Sequence, residues 1–205
     1  MQPFQHLAAT ACPLPYANID TDQLIPARFM KRSRAEGYGG YLLHDMRFSD
    51  DNTEIAEFPL NRSLYRNAQI LVARRNFGAG SSREAAVYAL VDYGIRCVIA
   101  PSFGDIFASN SVNNGLLPAR VEEKDAEALI RLLEKDSAQL AVDLEKQAIL
   151  AGEISIPFAI DPVWRMKLLN GWDDIDLTLN QAHAIAHFRA EDAARRPWAI
   201  PRVER

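Results

Sequence analysis

The chain has 205 residues, with 23 Lys and Arg against 27 Asp and Glu and a formal net charge of −4. Hydrophobic residues make up 48% and charged residues 24%, an ordinary globular composition. The acidic balance argues against a general nucleic-acid binder, whose surface is basic. No apolar run approaches the roughly 20 residues that span a bilayer.

The N-terminal stretch "MQPFQHLAATACPLPYANID" has no basic region ahead of a long apolar block, so no signal peptide is expected. The cytoplasm is the expected compartment, with the only two cysteines, Cys12 and Cys97, as free thiols. Two cysteines cannot hold an iron–sulfur cluster, which takes four thiolates or three with an open iron. One domain over 1–205 is expected, with a flexible tail from about residue 195.

In chain order, residues 1–26 read as irregular and turn-rich, punctuated by Pro13, Pro15 and Pro26. In "NIDTD", Asp20 and Asp22 read as a turn capped by its own side chains rather than as a metal-binding pair. The run Arg28, Lys31, Arg32, Arg34 is either a solvated basic face or a source of a cationic contact. "AEGYGGY" reads as a flexible connector, and residues 42–60 as loop with short elements.

"QILVA" (Gln69–Ala73) is a short run rich in β formers, the pattern of a buried strand. Helical spacing follows from about Ser82 to Tyr93, closed by Gly94, and "RCVIA" (Arg96–Ala100) is a second strand. Strand, helix and strand over so short a stretch make a βαβ unit with parallel strands. Further on come a helix near Ile106–Asn113, a strand in "GLLPARV", and an amphipathic helix in "EEKDAEALIRLLEKDSAQL". "GEISIPFAI" alternates like a half-buried strand, and Pro162 opens a helix in "VWRMKLLNG". Thr178 and Gln181 fit a capping box for a last helix to about Ala194. His183 and His187 share a helical face, but Ala184 stands where a zinc protease helix needs glutamate, so no metal site is expected.

The loop "NFGAGSSRE" joins the first strand to its helix. Ser81-x-x-Glu84 fits a capping box, with Gly78 and Gly80 as turn residues. The loop also stands where ligands of open α/β sheets gather, and a helix N-terminus offers amides and a positive dipole end to an anion. Arg83 adds a planar charged fork suited to a carboxylate. No lysine follows Gly80, so the phosphate-binding pattern GxxxxGK[ST] is absent and a small carboxylate is favoured over a nucleotide.

"NIDTDQLIPARFM", "NFGAGSSREAAVYALVDYGIRCVIAPSFGDIFASNSVNNGLLP" and "LLNGWDDIDLTL" occur in this order. Together, from about Asn18 to Leu179, they closely resemble the small subunits of 3-isopropylmalate dehydratase, the isopropylmalate isomerase of leucine biosynthesis. "GSSRE" is also similar to the mobile C-terminal domain of aconitase. The resemblance implies a swivelling β/β/α domain and a two-subunit hydro-lyase. Its large subunit would carry a [4Fe–4S] cluster, a Lewis acid at the leaving hydroxyl. The implied reaction dehydrates 2-isopropylmalate to 2-isopropylmaleate and rehydrates it to 3-isopropylmalate.

By the same resemblance Ser81 matches the serine that acts, as an alkoxide, as catalytic base. Arg83 matches the arginine that binds a substrate carboxylate, with Ser82 assisting. Arg34 matches a second substrate arginine, with Arg32 and Arg28 as alternatives in the same run. Where the family loop often has cysteine and histidine, this chain has Ala79 and Ala85; neither position carries an assigned chemical group. Related two-subunit enzymes acting on citraconate, dimethylmaleate or homoaconitate stay open as alternatives, and so does a non-catalytic anion-binding module.

Overall fold

Seven strands form one sheet in the computed structural model, which describes residues 1–135 and 139–199. They are β1 (His6–Leu14), β2 (Ile70–Ala73), β3 (Cys97–Ala100), β4 (Leu117–Arg120), β5 (Gln139–Asp143), β6 (Ala148–Ala151) and β7 (Ile154–Pro157). Their spatial order is β4-β3-β2-β1-β5-β6-β7. The first four pair in parallel, and β5, β6 and β7 add antiparallel to β1. Arg120 and Ala159 then bridge the two outer edges, the Ala159 amide donating to the Arg120 carbonyl at 2.7 Å and the Arg120 amide donating back at 3.2 Å. The sheet thus curls until its margins touch, which leaves little open edge for a foreign strand.

The helices are α1 (Thr21–Leu24), α2 (His44–Arg47), α3 (Glu84–Tyr93), α4 (Asp105–Asn113), α5 (Glu123–Lys135), α6 (Pro162–Asn170), α7 (Asp174–Leu179) and α8 (Ala182–Arg195). Strand alternation sorts the core into two layers. Leu71, Ala73, Val98 and Ala100 face Val87 and Leu90 of α3, together with Leu24, Leu42 and Phe77. Ile70, Val72, Cys97 and Ile99 face the other way, onto Leu129, Ile130 and Leu133 of α5 and the apolar residues of β5, β6 and β7. Each buried Leu, Ile, Val or Phe side chain among them contributes about 1.5–3 kcal/mol. The fold is α/β, with the expected βαβ unit, β2–α3–β3, at its centre.

Three expectations need correction. The segment read as irregular contains β1. The one proline in the strand, Pro13, is tolerated because β5 pairs only with His6–Thr10, so at Pro13 the strand has a partner on one side alone. The amphipathic helix is described over Glu123–Lys135, and Gln139 and Leu140, expected in it, belong instead to β5, which turns back into the unread β6. The last helix is not capped by Thr178 and Gln181. Asp173 caps α7 instead, its carboxylate accepting from the Ile175 and Asp176 amides at 2.8 Å each, and Gln181 at the start of α8 makes no cap bond. Of the tail expected from about residue 195, Arg195 ends α8, Arg196 is its C-cap, Pro197–Ala199 form a 3-10 turn, and 200–205 lie outside the described residues.

Candidate active site

β1, β2 and β3 end at one margin of the sheet, and the chain runs on past each of them. The continuation of β2 lies between the other two. On one side the Gly78 amide donates to Ile19 (2.7 Å) and the Thr21 amide to Ala79 (2.9 Å). On the other, the Phe77 amide donates to Ser102 (3.0 Å) and the Gly104 amide to Phe77 (2.9 Å). The fit demands bare backbone. Gly78 has φ +72°, and a Cβ there would lie 2.2 Å from the Phe107 ring; a Cβ on Gly104 would lie 2.5 Å from the Gly78 carbonyl.

After Gly80, at φ +101°, the chain turns at Ser81. The Ser81 carbonyl accepts from the Arg83 amide (2.8 Å) and from Thr21 Oγ1 (3.0 Å). This pull toward α1 delays the helix. α3 begins at Glu84 with Arg83 at the N-cap, so the Ser81–Glu84 capping box does not form. The Glu84 carboxylate accepts instead from Asn114 Nδ2 at 2.9 Å. Ser81 and Ser82 are both exposed, and no hydrogen bond among the described residues engages either hydroxyl. In the first turn of α3 the Ala86 amide donates to the Arg83 carbonyl at 3.1 Å, while the Glu84 and Ala85 amides meet no acceptor among the described residues and carry the positive end of the helix dipole.

The Arg83 guanidinium pairs with the Asp22 carboxylate on α1; the Arg83 side chain is 26% exposed and that of Asp22 55%. α1 has its own capping box. Asp20 accepts from the Gln23 amide (2.7 Å), and Gln23 Oε1 accepts from the Asp20 amide (2.9 Å), so Asp20 is a cap as expected. Ser81, Ser82 and Arg83 therefore share one margin of the sheet. Arg34 is held elsewhere on α3. Its guanidinium pairs with Asp92 and stacks over Tyr88 at 4.3 Å. Asp92 lies eight residues beyond Glu84, about 12 Å along the helix axis.

The rest of the basic run is also ion-paired in part. Arg28 pairs with Asp45, and this hydrogen bond holds the Asp45 carboxyl below its ordinary value; Arg32 meets Glu36 at 3.6 Å. The glycine-rich connector is docked rather than slack: the Tyr38 amide donates to Asp92 at 2.7 Å.

Cys12 and Cys97 are both free and fully buried, on opposite faces of the sheet. Burial pushes both thiols well above their ordinary range and disfavours the thiolate. They do not fit an iron–sulfur centre. Among the described residues no three His, Cys, Asp or Glu side chains group to hold a metal ion. No helix among them is long and apolar enough to cross a membrane.

Residues 1–124 match the aconitase C-terminal domain family. The chain is also 48% identical over 203 residues to the 3-isopropylmalate dehydratase small subunit of Rhodospirillum centenum, an alignment covering 98% of this chain and 100% of that one. The chain belongs to the 3-isopropylmalate dehydratase small subunit family.

The small subunit of Jannaschia sp. is similar too, 48% identical over 97% of this chain and 100% of its own. A crystal structure of 3-isopropylmalate dehydratase from Methanocaldococcus jannaschii matches with a TM-score of 0.65 at 25% identity, covering 90% of this chain and 99% of that one. Its likeness supports the swivelling β/β/α architecture expected of this family.

Some residues at the candidate site escaped the sequence reading. Thr21 pins the Ser81 carbonyl, Asp22 holds Arg83, and Asp92 holds Arg34. Asp22 was legible only as part of a turn capped by its own side chains. Asp92 carried one signal, an acidic residue in the last turn of a helix, where the dipole disfavours it.

Proposed function

We propose that this chain is the small subunit of a two-subunit 3-isopropylmalate dehydratase of leucine biosynthesis, at work in the cytoplasm. It acts with a large subunit that carries the [4Fe–4S] cluster. The enzyme removes water from 2-isopropylmalate to give 2-isopropylmaleate and returns it in the other orientation to give 3-isopropylmalate. The observation that carries the reading is the exposed Ser81 beside the Asp22-held Arg83 at the start of α3.

The chemistry asks for a base at a carbon next to a carboxylate. A serine hydroxyl is a weak base in water, so an alkoxide must be stabilised by its surroundings. The positive end of α3 and the Arg83 cation supply that stabilisation here. Arg83 also receives a substrate carboxylate on the part of its fork that Asp22 leaves open, Ser82 assists, and Arg34 takes the second carboxylate. Departure of the hydroxyl is assigned to the large subunit, whose cluster is a Lewis acid.

The test is reconstitution with a cluster-bearing large subunit and an assay of 2-isopropylmalate against citraconate and dimethylmaleate. Turnover of 2-isopropylmalate that needs both chains is expected. A preference for citraconate or dimethylmaleate would move the chain to a paralogous hydro-lyase, and turnover by this chain alone would end the two-subunit reading.

A further inference from the structure

Asp92 breaks a local rule. It is an acidic residue in the last turn of α3, where the negative end of the helix dipole opposes it. Its side chain is nonetheless only 16% exposed, and one of its oxygens accepts twice. Oδ2 accepts the Tyr38 amide at 2.7 Å and the Arg34 guanidinium through Nη1. The segment around those two residues is fitted to it. Gly37 has φ +76°, and a Cβ on Gly39 would lie 2.6 Å from the Asp92 carbonyl. The Tyr38 hydroxyl donates to the Arg32 carbonyl at 2.9 Å and closes the turn.

The consequence falls on Arg34. One nitrogen is fixed by Asp92, and one face is fixed by the Tyr88 ring at 4.3 Å. The Arg34 side chain remains 45% exposed, and its Nε and Nη2 meet no acceptor among the described residues. That free edge has the geometry to take a carboxylate with two parallel hydrogen bonds. A guanidinium oriented in advance loses less entropy when it binds than one swinging on a free side chain.

We propose that Asp92 is a positioning residue, which acts through Arg34 to orient its open guanidinium edge for a substrate carboxylate. The assignment rests on the reading of Arg34 as a substrate contact. Asp92 itself touches no substrate.

The test uses the reconstituted two-subunit complex and 2-isopropylmalate. Asp92→Asn keeps an acceptor for the Tyr38 amide but removes the charge that holds Arg34. The KM should rise roughly five- to tenfold, with kcat little changed, the signature of a misaligned binding group. In an Arg34→Ala background the same substitution should change nothing further. An unchanged or lowered KM, or an equal rise in the Arg34→Ala background, would overturn the assignment.

Hydrogen exchange on the free chain gives a second reading that needs no activity. Asp92→Ala should deprotect the amides of residues 37–42 and leave β2 and β3 protected; unchanged protection would also overturn the proposal. A wild-type complex inactive on 2-isopropylmalate would sink the proposed function, while the exchange result would still judge Asp92.

Discussion

Arg83 and Asp22, 61 residues apart in the chain, form an ion pair that ties the N-terminus of α3 to α1. Both side chains are partly exposed, so the pair contributes only about 0–1 kcal/mol to stability. Its effect on geometry is larger, because it sets the direction of a guanidinium beside Ser81. Asp22→Ala should therefore lower kcat/KM for 2-isopropylmalate roughly tenfold while Tm hardly moves, the loss expected of a displaced substrate contact. Steady-state kinetics with a melting curve on the same preparation checks both halves.

Ser81 separates two roles that one serine can play. A capping serine costs about 1 kcal/mol when replaced by alanine. Ser81 stands two residues ahead of the N-cap, Arg83, and its hydroxyl caps nothing. Ser81→Ala should therefore leave stability within about 0.5 kcal/mol. As the proposed base, its loss should reduce kcat by roughly 10²-fold or more. A destabilised but active variant would reverse the assignment.

Gly78 tests the fit of the loop. Alanine there meets both a left-handed φ of +72° and the Phe107 ring at 2.2 Å. Gly78→Ala should destabilise the fold by roughly 2–4 kcal/mol, from backbone strain and overpacking together. Denaturant unfolding measures this directly, and a loss below about 1 kcal/mol would mean that Phe107 moves aside freely.

The buried thiols set an alkaline limit. Folding raises the values of Cys12 and Cys97 above the ordinary 9.0, so the folded chain keeps protons that the unfolded chain releases. The stability this contributes is fully present below 9.0 and is lost as pH rises above it. Tm should decline between about pH 8.5 and 10.5, and Cys97→Ala should flatten that slope. The same burial predicts that a thiol reagent at neutral pH labels neither cysteine until the chain unfolds.

Local periodicity made the centre of the fold legible. β2, α3 and β3 are short, apolar and correctly punctuated, Gly94 closes α3 at φ +109°, and Asp161 and Pro162 open α6. β1 was hidden because its Pro13 is permitted by a partner that stops at Thr10, a fact of the sheet rather than of the strand. Ser81–Glu84 fitted a local rule that Thr21, sixty residues away, overrules. The candidate site divided in the same way. Ser81, Ser82 and Arg83 are neighbours in sequence and stay neighbours in space. The carboxylates that hold the arginines, Asp22 and Asp92, come from other elements, and no spacing announces them.

The touching sheet margins also bear on synthesis at the ribosome. The parallel strands can assemble as soon as β4 has emerged, yet the first half of β1 has no partner until β5 arrives, with His6 waiting for Asp143. At about 5–20 residues per second this delay is on the order of ten seconds. Throughout it, the layer containing Ala9 and Ala11 lacks the cover that β5, β6 and β7 later supply. The nascent chain is thus most prone to wrong association late in translation, after its candidate active-site loop can already have formed.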